Sequence, residues 1–260
     1  MTTRKEYVFK AINGIPVAAD VYFRKTTTVS KLPIALHFHG GNFTVGSKQM
    51  LPLDQSEMLL DLGFVVVSAN YRLAPTVTVF EGPVKDALDA YEWSRTNLPQ
   101  LLLEDAHVKA DGSRIVTLGH SCGGTLALLT KDDPPPTSAP PPVGPKGPDL
   151  ANYRVAWMFD QLGKGTQLKT VVGDSDYDRV DPVSQFSKGN FPPTFFIHGA
   201  EDKLVPARLS QQAYDELKSH GVETQLVLVE GGQHGFDEIG QPENALELLE
   251  KGFEFLKAHV

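Results

Sequence analysis

The chain has a single cysteine, Cys122, in 260 residues. One thiol excludes an internal disulfide and leaves no set of thiolates for a zinc site. Positive charge is also scarce, with 24 Lys and Arg against 32 Asp and Glu, a formal charge of −8. The cations are nowhere clustered, and phosphate binding needs clusters, so nucleic acid is not an expected partner. No apolar run is long enough to span a bilayer, so no membrane span is expected. Met1 to Glu6 lack the apolar core of a signal peptide. A soluble, cytoplasmic protein is therefore the expectation. Hydrophobic residues, at 41%, suffice for a sizeable core. The length and patterning predict one α/β domain over residues 1–260.

The order of elements follows from periodicity. Tyr7 to Ile12 and Val17 to Phe23 are β-rich runs separated by Asn13-Gly14, a hairpin signal. Pro33 to Phe38 predicts a third strand, and Gln49 to Leu62 a helix stopped by Gly63. Phe64 to Asn70 is a continuous apolar run, as in a parallel strand buried on both faces. A helix from Gly82-Pro83 to about Leu98 precedes the strand Arg114 to Leu118. Further on come a strand over Thr194 to Ile197, a helix over Ala207 to His220, a strand over Glu223 to Glu230 and a last helix over Asn244 to Ala258. A hairpin followed by alternating strand and helix predicts a mostly parallel twisted sheet with helices on both faces. Asp132 to Pro148, with two Pro-Pro-Pro runs, predicts an exposed extended loop.

Gly119-His120-Ser121-Cys122-Gly123-Gly124 lies between an apolar strand and a helix start. In that context Gly-x-Ser-x-Gly marks a sharp turn that holds out a nucleophilic serine, here Ser121. The Cys122 N–H opens the helix and points to where an oxyanion would form. His39-Gly40-Gly41-Asn42 follows a strand, and its glycines let backbone N–H groups turn toward a ligand. His37 and His39 are two apart on a strand, which is no metal site without further ligands. His39 reads instead as a brace for its loop. A serine hydroxyl needs a base, and the base needs a carboxylate to orient it. His234, in a glycine-rich loop after a strand, can reach Ser121, and Asp202 can orient it. The order Ser, Asp, His suits this architecture. Glu201 and the group Asp174, Asp176 and Asp178 compete as the acid. His120 and His198 read as structural, and His107, His220 and His259 as surface residues.

With these motifs the chain resembles the α/β-hydrolase superfamily, and within it the hormone-sensitive-lipase-like esterases and their short relatives. The resemblance rests on Ala19-Asp20-Val21-Tyr22, His39 to Phe43, Asn70-Tyr71-Arg72-Leu73-Ala74-Pro75, the Ser121 motif, His198 to Pro206 and His234-Gly235-Phe236. It implies a catalytic Ser121, Asp202 and His234, with Asp202 rather than Glu201 as the acid. It also implies an oxyanion hole from the N–H groups of Gly41, Asn42 and Cys122. Members often carry a third glycine where Asn42 stands, but asparagine keeps the N–H.

A second departure is larger. The family places a buried strand after the nucleophile helix, between the elbow strand and the acid-bearing strand. Here the proline-rich stretch stands there, and Arg154 to Phe159 or Thr170 to Val172 are the candidate replacements. The same segment normally holds the cap, so the cap is expected to be reduced or absent. The function implied is a serine hydrolase acting on a small carboxylic ester or related acyl substrate through an acyl-serine, with no metal or organic cofactor. The alternatives are an acyltransferase, a formamide or lactone hydrolase of a biosynthetic pathway, and a non-catalytic ligand-binding protein on the same fold. The sequence leaves the oligomeric state open, a homodimer included.

Overall fold

The computed structural model describes residues 1–25, 30–130, 153–173, 176–187 and 191–260. The proline-rich stretch 132–148 lies outside the described residues. Strands β1 (Thr2–Ile12) and β2 (Ile15–Arg24) form the N-terminal antiparallel hairpin. Asn13 and Gly14 both take positive φ, 50° and 80°. That is the turn whose twist matches the strands it joins. Then follow β3 (Leu32–Phe38), α1 (Leu53–Asp61), β4 (Val65–Ala69), α2 (Lys85–Thr96), α3 (Leu98–Ala106), β5 (Ala110–Gly119) and α4 (Cys122–Leu129). Five strands make one sheet in the order β1-β2-β4-β3-β5. β3 pairs in parallel with β4 and with β5, and β2 meets β4 antiparallel. Every residue of β4 is buried, as its unbroken apolar run requires.

The second half of the chain departs from the expected strand order. Residues offered as the replacement strand are helical, in α5 (Tyr153–Lys164) and α6 (Gln167–Val172). Val155 and Met158 are buried at helical spacing, while Phe159 is exposed. Val171 and Val172 close α6 against the main core, where the Val79 N–H donates to the Val171 carbonyl at 2.8 Å. Short helices α7 (Tyr177–Val180) and α8 (Val183–Phe186) lead to β6 (Thr194–Gly199), α9 (Arg208–Ser219), β7 (Thr224–Val229) and α10 (Ala245–Ala258). β6 and β7 pair in parallel as a separate two-stranded sheet.

Among the described residues, then, no strand lies between β5 and β6. Both show it: Ile115 to Gly119 and Thr194 to His198 are only partly buried, except Gly199 at the end of β6. Packing instead of a hydrogen-bonded ladder joins the two sheets. Leu249 and Phe253 of α10 enter the core built by Tyr22, Leu59, Phe64 and Val66, with Val116, Leu118 and Ile197 against it. On the other face Leu128 of α4 packs with Phe196 and Leu217.

Candidate active site

The site forms at the C-terminal ends of β3, β5, β6 and β7, where open α/β sheets place their ligands. Ser121 sits on the turn between β5 and α4 with φ 51° and ψ −124°. A side-chain-bearing residue rarely holds that conformation, and close packing on both sides enforces it. A Cβ on Gly119 would lie 2.2 Å from the Gly123 carbonyl oxygen, and one on Gly123 would lie 2.1 Å from the Phe38 oxygen. Only glycine lets the helix cross the strand ends so closely. Ser121 is exposed as a result.

Asp202 and His234 arrive from the smaller sheet. The crossing of Gly199 and Gly232 brings their loops together, and the Glu201 N–H donates to the Gly232 carbonyl at 3.0 Å. One oxygen of Asp202 accepts the Leu204 and Val205 N–H groups, both at 2.8 Å. The other accepts the His234 Nδ1–H at 2.7 Å. Burial would raise the Asp202 pKa, but these donors outweigh it and hold the carboxyl below its ordinary value. With Nδ1 donating, His234 Nε2 is left as the acceptor. It faces Ser121 Oγ at 3.0 Å. So the three residues converge although, among the described residues, they belong to two sheets that share no strand ladder.

The rivals are engaged elsewhere. Glu201 meets Gln233 at 3.4 Å, and Asp176 pairs with Arg179 at 2.9 Å. Asp174 lies outside the described residues. His198 braces the acid loop, through Ser210 at 2.7 Å and the Val205 carbonyl at 2.9 Å, and stands 3.3 Å from Asp202. His39 donates to the Gly40 carbonyl at 2.6 Å and stacks on Tyr71 at 4.1 Å. Burial pulls its pKa down to about 4, so it is neutral. The Tyr71 hydroxyl in turn donates to the His39 carbonyl at 2.8 Å.

The loop from Gly40 to Phe43 packs on the elbow. A Cβ on Gly40 would stand 3.4 Å from Ser121 Cβ. Gly41, Asn42 and Phe43 all have positive φ, of 114°, 54° and 60°. The Phe43 N–H donates to Cys122 Sγ at 3.2 Å, and the Asn42 N–H also bears on that sulfur. Burial raises the Cys122 pKa, so the thiol is neutral and serves as an acceptor for the loop. Residue patterns gave no hint of that contact. They also missed Gln55 and Asp237, which meet His120 beside the serine at 3.0 and 2.7 Å. Among the described residues no group of three His, Cys, Asp or Glu side chains could hold a metal ion.

Known proteins share the fold. Residues 35–132 match the family model described as alpha/beta hydrolase fold, and residues 149–260 match that of the prolyl oligopeptidase family. Among solved structures, an esterase (Est2) of Thermogutta terrifontis is similar, with a TM-score of 0.72 and 23% identity over 96% of this chain and 91% of that one. The hyperthermophilic esterase of Pyrobaculum calidifontis gives 0.72 and 21% identity over 99% and 85%. The Thermogutta esterase has also been solved phosphonylated by sarin. In sequence, the chain is 28% identical to the non-reducing polyketide synthase ausA of Emericella nidulans, over 97% of this chain and 14% of that protein. It is 27% identical to the 5-methylorsellinic acid synthase of Aspergillus terreus, over 100% and 13%. The chain thus spans about one seventh of the length of these relatives. The match to the Emericella protein runs over 339 residues against 260 here, so at least 79 residues of that region have no counterpart in this chain.

Proposed function

We propose that this chain, which has the alpha/beta hydrolase fold, is a serine hydrolase that cleaves a small carboxylic ester or related acyl substrate. One observation carries the reading: Ser121 Oγ lies 3.0 Å from His234 Nε2 while Asp202 holds Nδ1 at 2.7 Å. Ser121 attacks the acyl carbon as its proton passes to His234 Nε2. Asp202 keeps the imidazole in the tautomer that can receive it and stabilises the imidazolium. Negative charge collects on the carbonyl oxygen, where the Gly41, Asn42 and Cys122 N–H groups are the proposed donors. Each such donor contributes a few kcal/mol because it is fixed before the charge develops. The imidazolium then protonates the leaving group. A water molecule, deprotonated by the same His234, attacks the acyl-serine and releases the acid. The chemistry asks for no metal or organic cofactor. An alcohol in place of water would make the same intermediate an acyl donor.

The curated relatives favour a refinement of the substrate. They are polyketide synthases, and one is named for making a methylated aromatic acid. Hydrolysis of an aroyl-serine would release such an acid, whether the acyl group arrived as an ester or a thioester. The test is turnover of short nitrophenyl esters and of an aroyl thioester by the native protein and by Ser121→Ala. The native protein should turn over at least one class, and Ser121→Ala should lose on the order of 10³-fold or more. A native protein inert to both would favour the non-catalytic, ligand-binding alternative.

A further inference from the structure

Ser121 comes from the five-stranded sheet, and Asp202 and His234 from the two-stranded one. Among the described residues no strand ladder links the two sheets. The strongest polar tie across the seam is beside the serine. His120 Nε2 lies 2.7 Å from Asp237 Oδ2 and 3.0 Å from Gln55 Oε1. Gln55 Nε2 donates to the same carboxylate oxygen at 3.2 Å. Asp237 is three residues past His234, so the contact links the elbow directly to the loop of the base. Both side chains are largely buried, with 13% and 10% of their surface exposed.

Hydrogen-bond accounting fixes the charge of this pair. The Ser68 hydroxyl has a single proton and must donate it to the Lys48 carbonyl at 2.8 Å, which can only accept. Ser68 Oγ therefore accepts from His37 Nδ1–H at 3.0 Å. Burial, and the neighbouring His120 and His39, keep His37 neutral, so its Nε2 carries only a lone pair. That atom faces His120 Nδ1 at 2.8 Å, and Nδ1 must donate. On the other side, Nε2 of His120 faces a carboxylate and an amide oxygen, so it must donate too. A ring that donates from both nitrogens is an imidazolium. The electrostatics agree in direction. Burial pulls the His120 pKa down, but the Asp237 hydrogen bond and the charges of Asp237 and Glu238 more than restore it. Burial pushes Asp237 up, and His120 and Gln55 bring it below its ordinary value.

We propose that His120 and Asp237 are positioning residues: a buried imidazolium–carboxylate latch that holds the His234 loop against the Ser121 elbow at the seam between the two sheets. This rests on the hydrolase reading, since the register matters only if His234 serves Ser121. The groups facing His120 are His37 from β3, Gln55 from α1, and Asp237 and Glu238 from the loop after β7. None but His120 itself supplies a positive charge there. The latch therefore holds while His120 is protonated and loosens as pH rises through its elevated pKa. It adds an alkaline limb to the rate profile that the triad alone does not require.

Two measurements test it. In Ser121→Ala, which removes turnover, the ring-nitrogen chemical shifts of His120 should report an imidazolium that titrates above the ordinary histidine value. In the added background of Asp237→Asn, burial is opposed only by Glu238, and His120 should titrate below the ordinary histidine value of about 6.5. In the otherwise native enzyme, Asp237→Asn should lower kcat on the order of 10- to 100-fold at pH 7, with KM little changed. It should also move the alkaline limb down below the ordinary histidine range. Asp237→Glu, which keeps the carboxylate, should restore the limb. Thermal melts of each variant report the folded fraction. A His120 that titrates normally in the native protein overturns the latch. So does an Asp237→Asn variant that loses activity only in step with its folded fraction, with its pH profile unmoved. A folded native protein without hydrolase activity overturns the positioning role together with the hydrolase reading, while the nitrogen shifts still decide the ion pair.

Discussion

Gly123→Ala offers a sharp test of how the elbow is built. A Cβ at residue 123 would lie 2.1 Å from the Phe38 carbonyl oxygen and 2.6 Å from that of His39. Real Cβ atoms keep at least 3.0 Å, so α4 and the end of β3 must separate by about 0.9 Å. The obstacle is backbone and cannot rotate aside. Overpacking of this kind costs about 1–3 kcal/mol. Phe38 leads directly into His39 to Asn42, so the same movement carries the proposed oxyanion donors away from Ser121. A displacement near 1 Å at a reacting centre costs on the order of 10²-fold in rate. Gly124 is the internal control, since its Cβ would meet nothing closer than the Gly119 oxygen at 3.3 Å. Alanine there also gains about 0.5–1 kcal/mol of helix propensity. The assay is kcat/KM for a short nitrophenyl ester alongside a thermal melt for both variants. Gly123→Ala should lose about two orders of magnitude in rate and melt lower, and Gly124→Ala should stay close to native. A native-like Gly123→Ala, or equal damage from Gly124→Ala, would refute the packing account of the elbow.

Other expectations follow from buried charge. Asp202→Asn, which inverts the tautomer imposed on His234, should cost on the order of 10³- to 10⁴-fold in kcat with little change in KM. Because folding lowers the Asp202 pKa, its contribution to stability is fully present above about pH 4, its unfolded range, and fades as pH falls through the folded value. Acid melts of native and Asp202→Asn should therefore converge at low pH. Arg72 and Asp86 are both buried and joined at 2.5 and 2.7 Å, and Asp86 also takes Lys10 at 2.7 Å. Asp86→Ala strands the guanidinium and should cost about 3–5 kcal/mol in urea unfolding, against little for a surface carboxylate such as Asp160. The raised pKa of Cys122 keeps its thiol protonated at pH 7. Iodoacetamide should leave it unmodified in the folded protein and reach it on denaturation, as read by mass.

The parts legible in sequence were those set by local pattern. The hairpin at Asn13-Gly14, the buried run of β4 and the glycine-flanked serine each carry their cause within a few residues. Helix α3 was not read, because Pro99 looks like a stop, although proline fits the first turn of a new helix. Arg154 to Phe159 looked like a strand through its apolar content, and only the spacing of the buried Val155 and Met158 points to α5. Among the described residues no strand stands between β5 and β6, yet loops from the two sheets meet, a convergence with no local signature. The tie between His120 and Asp237 has no local signature. Each residue is ordinary in its own segment, and only the fold makes them neighbours.

The most direct test of the central claim is the mass of the intact protein after exposure to a fluorophosphonate. The native chain should gain one phosphonyl group, mapped to Ser121. His234→Ala should react far more slowly, and Ser121→Ala should gain none. An unmodified native chain, or equal modification of Ser121→Ala, would contradict the assignment of Ser121 as a nucleophile activated by His234.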